Sequence, residues 1–181
     1  RPDRFQALLL VDPVIMPPEA YANWERDRPF ADASEHPVAR RRNEWSSVDE
    51  MFNRFRSRHP FSLWREDVLH DYCKYGIVPT LNGFELGCPP VVEASIYMGS
   101  AGYPIDEAIG AVKHPVSVMR AFRGEGDRTE MDFSQSPTWP ELAGAFEHGH
   151  DIHLPDLTHF IPMQRPDLVA KEVRRLANTV K

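Results

Sequence analysis

His159 stands in "LPDLTHFIPM" (residues 154–163), directly after a short apolar run. A histidine in the loop beyond the carboxyl end of a strand occupies the place where open α/β sheets bind ligands. There it can hold one ring nitrogen toward a carboxylate and present the other to a nucleophile or a water, because an imidazole ordinarily titrates near neutrality. General-base chemistry is therefore one reading of His159, and an ordinary loop or capping histidine is the other, with nothing in the spacing to decide between them. The neighbouring "HGHDIH" carries His148, His150 and His153. On a strand His150 and His153 point to opposite faces, and neither Cys nor Glu completes a ligand-like spacing, so no metal site is expected. Cys73 and Cys88 form neither a disulfide framework nor a CxxC pair and read as reduced thiols, which points to a cytoplasmic protein.

Composition bounds the partners. The chain has 181 residues, 41% hydrophobic and 27% charged, as an ordinary folded domain does. Its formal charge is −6 with histidines neutral, which gives no electrostatic case for nucleic acid or an anionic membrane. The arginines of "ARRRNEW" are local and read as a solvated face. Apolar runs fall short of the roughly 18 residues of a membrane helix, and "RPDRFQALLLV" lacks a signal-peptide cleavage region. The first residue is Arg1, so the start is expected to lie inside a longer protein.

Strands must position His159, and three segments read as buried ones: "FQALLLV" (5–11), "PVSVMRAF" (115–122) and "HDIHLP" (150–155). The first is apolar at nearly every position, as in a parallel sheet covered by helices on both faces. "SPTWPELAGAFEHG" predicts a helix with Pro140 in its first turn and Leu142, Ala143 and Phe146 on one face. "RPDLVAKEVRRLANTV" predicts another, opening at Pro166 with a stripe of Leu168, Val169, Val173 and Leu176. Strand, helix, strand, helix is the α/β pattern. Three strands are few for such a sheet, so further strands are expected upstream. Residues 17–110 differ: "SSVDEMFNRFRSRHP" opens on a capping box, "REDVLHDYCKYG" is amphipathic with Gly76 as its stop, and "PPVVEASIYMG" is a third helix. They predict a helical insertion between strands.

"LPDLTHFIPMQRPDLVAKEV" resembles the C-terminal end of the α/β-hydrolase family, in which a histidine followed by an aromatic and a "RPDLVA"-type helix start supplies the catalytic base. "RPDRFQALLLVDPVIMPP" is similar to the family's sixth strand, and "HPVSVMRAF" to its seventh. The resemblance implies a C-terminal part of the fold: residues 1–16 as core, 17–110 as a helical cap, and 111–181 as core with the last two strands. The family's nucleophile sits on a strand-to-helix elbow, GxSxG, ahead of the sixth strand. That motif does not occur here; "YMGSAGY" places Ser100 next to Gly99 and follows a helix, so it reads as a turn. The nucleophile is expected upstream, in the missing N-terminal part of the same protein, and the chain alone is expected to be inactive.

The resemblance also implies a carboxylate partner for His159. The loop after the seventh strand offers Asp132, the first choice by its interval to the histidine, and Asp127, the third. A second family arrangement puts the acid at the end of the sixth strand, where Asp12 stands in "LLLVDPV", the second choice. Trp139 and Phe160 are candidates for the substrate pocket, with core packing as the alternative. The implied activity is hydrolysis of a small apolar ester or related substrate through a nucleophile–His–acid triad, without a cofactor. An aspartate nucleophile, giving an epoxide hydrolase or dehalogenase, and a non-catalytic ligand-binding relative are the alternatives.

Overall fold

The computed structural model describes residues 4–22, 30–99, 105–124 and 134–179. In chain order its elements are β1 (Leu8–Val11), α1 (Pro18–Ala22), β2 (Glu44–Trp45), α2 (Val48–Phe55), α3 (Glu66–Tyr75), β3 (Ile77–Thr80) and β4 (Gly83–Leu86). They continue with α4 (Pro90–Gly99), α5 (Ile105–Ala111), β5 (Val116–Ala121), α6 (Leu142–Ala145), β6 (Gly149–Leu154), α7 (Ile161–Gln164) and α8 (Pro166–Thr179). The chain divides into two compact units, residues 1–20 with 104–181, and residues 21–103.

The first unit is built on a parallel three-stranded sheet in the order β1-β5-β6, with Leu8 opposite Val116 and Val116 opposite Gly149. Alternate residues of a strand face opposite sides, and here both sides are apolar. Leu8 and Leu10 join Val116, Val118, Ile109, Leu142 and Phe146 on one face. Leu9 and Val11 join Met119, Ala121, Ile161, Leu168 and Val169 on the other. Hydrophobic alternation is lost in β1 and β5 because both their faces are covered, whereas β6, expected to be buried, stands at an edge of the three-stranded sheet with Gly149, His150, Asp151 and His153 exposed and only Ile152 and Leu154 packed on the core. Helix α5 belongs with this core through Ile109, although the sequence assigned residues up to 110 to the insertion.

The helix expected around Leu142 is a single turn, α6. Its Leu142, Ala143 and Phe146 are buried as expected, but the chain must turn at once into β6. Gly149 makes that turn possible, since a Cβ there would lie 1.8 Å from the Ala143 carbonyl oxygen.

Helix α8 opens at Pro166, yet its inward stripe differs from the expected one. Val173 is half exposed, and Glu172 is buried in its place between Leu168 and Leu176, each four residues away and so on the same face. The reason lies on β5, where the buried Ser117 hydroxyl needs a partner. Ser117 Oγ donates to Glu172 Oε1 (2.5 Å), and Arg175 Nη2 reaches both Ser117 Oγ (2.9 Å) and Glu172 Oε1 (2.7 Å). Burial opposes ionisation of Glu172, but the hydrogen bonds from Arg175 and Ser117, with the charges of Arg175 and His150, outweigh it and hold the carboxyl below its usual range. A carboxyl lowered in the folded state stabilises the fold above its unfolded-state value, near 4.5, and that contribution is lost as pH falls through the lower folded-state value. Glu172→Gln should cost about 1–2 kcal/mol at neutral pH. Its urea midpoint should also fall less than that of the wild type as the solution is acidified.

The unit of residues 21–103 is less purely helical than the sequence suggested. Helix α2 is capped as expected, Ser47 Oγ accepting from Glu50 N–H (3.0 Å), a cap that contributes about 1 kcal/mol. Glu50 answers not to Ser47 but to Ser46, accepting from its backbone N–H (2.8 Å) and its hydroxyl (2.9 Å). Met51, Phe55, Leu69 and Cys73 are buried, and Phe55 stacks on Phe61 with ring centroids 4.3 Å apart.

Beside these helices lies an antiparallel sheet in the order β2-β4-β3. Its β3–β4 hairpin turns through Leu81-Asn82, and Gly83, which opens β4 opposite Thr80, takes φ +142, where a Cβ would meet the Trp45 carbonyl oxygen at 2.5 Å. Pro79 sits in β3, an edge strand, where its missing N–H costs nothing. No helix among the described residues is long and apolar enough to cross a membrane.

Candidate active site

The parallel register carries the ends of β1 and β6 to the same edge of the sheet, each strand separated from the other by β5. Asp12 follows β1 directly, and His159 lies in the loop between β6 and α7. Their side chains meet: His159 Nδ1 is 2.7 Å from Asp12 Oδ2, across 147 residues of sequence. The carboxylate that meets the imidazole is thus Asp12, the second choice from sequence. Asp132 and Asp127 lie outside the described residues, as does Ser100.

Asp12 is built for the position. Its residue is 1% exposed, and its backbone adopts φ 43, a left-handed conformation that Asp tolerates better than most side chains. Its N–H bonds Met119 O (2.7 Å), extending the ladder one step before the chain turns. One carboxylate oxygen, Oδ1, accepts from Ala121 N–H (2.8 Å) at the end of β5 and from Ser136 Oγ (2.6 Å). The other oxygen is left to His159. A carboxylate can only accept, so the imidazole proton sits on Nδ1 and Nε2 carries the lone pair. This is the tautomer a general base needs.

The loop bearing His159 is held at several points. His159 N–H donates to Ser134 O (2.9 Å). Gln164 Oε1 accepts from both the N–H (2.9 Å) and the hydroxyl (2.7 Å) of Thr158, tying the preceding residue to α7. The His159 side chain is buried on the Asp12 side yet 29% exposed overall, so the pair is not sealed. Phe160 lies edge-on to the imidazole, ring centroids 5.6 Å apart. Trp139, the other pocket candidate, packs against the core cluster of Val116, Val118 and Leu142, and its backbone N–H donates to Ile15 O (2.8 Å).

Ser136 and Thr138, both buried beside Asp12, were not singled out from sequence. Their signal was weak: small hydroxyl residues in "SQSPTW" look like ordinary loop chemistry. Cys73 is a poor nucleophile, since burial pushes its thiol up to about 11. Among the described residues no group of three or more His, Cys, Asp or Glu side chains could hold a metal ion.

Solved structures share this arrangement of elements. The peroxisomal alpha-beta-hydrolase Lpx1 of Saccharomyces cerevisiae superposes with a TM-score of 0.68 at 15% identity, over 97% of this chain and 46% of its own. The chain has the α/β-hydrolase fold. E-2-(Acetamidomethylene)succinate Hydrolase matches with a TM-score of 0.62 at 13% identity, over 98% of this chain and 59% of its own. The thioesterase domain from the curacin biosynthetic pathway gives 0.61 at 14% identity, over 96% and 59%. The 181 residues therefore span between 46% and 59% of those neighbours' lengths. No protein-family model and no curated protein matches the sequence.

Proposed function

We propose that this chain supplies the base and the acid of a hydrolase triad, His159 and Asp12, and that its nucleophile is a serine lying outside residues 1–181. The observation that carries the reading is the 2.7 Å contact between His159 Nδ1 and a buried carboxylate at the carboxyl edge of a parallel sheet. An imidazole so oriented accepts a hydroxyl proton at Nε2 as the nucleophile attacks a carbonyl, and returns it to the leaving group. Asp12 stabilises the imidazolium formed in between. Water then repeats the sequence and releases the acyl group. No step requires a cofactor.

A small, fairly apolar ester or thioester is the proposed substrate. Phe160 beside the imidazole supports an apolar contact at the reacting group, and the names of the structural neighbours include a thioesterase and a hydrolase. The residues 21–103 are read as the cap.

The test uses the full-length protein. A fluorophosphonate should label one serine, with loss of hydrolysis of short-chain p-nitrophenyl esters in proportion to labelling. Absence of labelling together with turnover of an epoxide or haloalkane would replace the serine by an aspartate nucleophile. Absence of both labelling and turnover would leave a non-catalytic relative and overturn the reading.

A further inference from the structure

We propose that Ser136 is a positioning residue for the acid–base pair, its hydroxyl clamping Asp12 Oδ1 so that Oδ2 is held on His159 Nδ1. The inference rests on the reading of Asp12 and His159 as acid and base. It comes from where the hydroxyl protons must go.

A serine hydroxyl has one proton and room to accept. Ser136 Oγ accepts from Thr138 N–H (3.2 Å), and its 2.6 Å contact to Asp12 Oδ1 is with an atom that cannot donate. The Ser136 proton therefore points at the carboxylate. Thr138 does not compete: its hydroxyl lies 2.8 Å from Pro13 O and 3.4 Å from Asp12 Oδ1, so its proton belongs to the carbonyl. Oδ1 thus receives two short donors, one from the β5 backbone at Ala121 and one from the Ser136 side chain. Rotating the carboxylate would break both, and the second oxygen has no choice but the imidazole.

Ser136 is itself immobilised. It is 1% exposed, and its N–H bonds Phe122 O (2.8 Å) just past β5. Two residues earlier the same segment accepts the His159 N–H through Ser134 O, and three residues later it bonds Ile15 O through Trp139 N–H. One short stretch therefore grips the acid through a side chain and the base through a carbonyl. The loop after β5, where the sequence placed the acid, delivers the anchor of an acid that stands just past β1. Groups that must hold a reacting geometry need such fixed support, because small misplacements are costly to rate.

The test compares Ser136→Ala with Ser136→Thr in the full-length protein. Ser136→Ala should lower kcat about tenfold with KM within about twofold, the pattern of a lost transition-state arrangement. The far-downfield proton resonance of the Asp12–His159 hydrogen bond should broaden away. Ser136→Thr, which keeps the hydroxyl, should restore both. If the alanine variant does not fold, Ser136→Cys, of similar size but a weak donor, should show the same loss. Wild-type resonance and kcat in the alanine or cysteine variant would overturn the proposal, and so would equal impairment of alanine and threonine variants, which would mark packing alone. The resonance needs no turnover. Loss of the triad reading would show as unchanged hydrolysis in a His159 variant, while the resonance would still report on Ser136.

Discussion

His159→Ala in the full-length protein is expected to lower kcat on a short-chain ester by about 10⁴- to 10⁶-fold, with KM little changed. The size of the effect follows from the geometry. Nε2 is the acceptor that the Asp12 contact leaves available, and without it the nucleophile must surrender its proton to water. The side chain is partly exposed and its backbone N–H still reaches Ser134 O, so the substitution should leave the fold intact. A thermal melt checks that point alongside the ester assay. Unchanged kcat in a folded variant would sink the catalytic assignment.

Asp12→Asn should cost about 10³- to 10⁴-fold in kcat, nearly as much, through a different route. Asparagine keeps the size of the side chain and tolerates the φ of 43. Its carbonyl oxygen still satisfies Ala121 N–H and the Ser136 hydroxyl. That choice turns the amide NH2 toward His159 Nδ1, where a donor forces the ring nitrogen to accept. The imidazole proton then moves to Nε2, the wrong atom for a base. Stability should change by only about 1 kcal/mol, because the buried donors remain paired. Asp12→Ala would instead strand those donors and lose about 2–3 kcal/mol, so the asparagine variant is the cleaner probe. The double variant with His159→Ala should be no slower than His159→Ala alone, since the two groups act as one unit. Additive losses in ester kinetics would show that Asp12 acts apart from the imidazole.

Much of this architecture was legible from local pattern. The three core strands lie within a few residues of the segments expected for them, and Pro166 opens α8 as its spacing predicts. Local chemistry suffices there because an apolar run or a helix start is decided by neighbours in sequence. The β3–β4 hairpin was not expected in what read as a helical insertion, because its strands are short, largely exposed and carry little alternation. Glu172 could not be read as buried from α8 alone. Its partner Ser117 is 55 residues away, and a glutamate at a core-facing helical position is ordinarily counted as solvent-facing.

The site divides in the same way. The sequence by itself determined that a histidine would follow the last strand, that aspartates would follow the strands before it, and that the sheet would be parallel and covered on both faces. Only the tertiary structure decided which carboxylate His159 meets and which hydroxyl holds that carboxylate. Spacing along the chain favoured Asp132, which lies outside the described residues; the contact His159 makes is set by the register of parallel strands, which brings residue 12 beside residue 159. Once Asp12 stands there, its buried oxygen must be paired, and that requirement draws in Ser136 from a loop whose sequence advertises nothing.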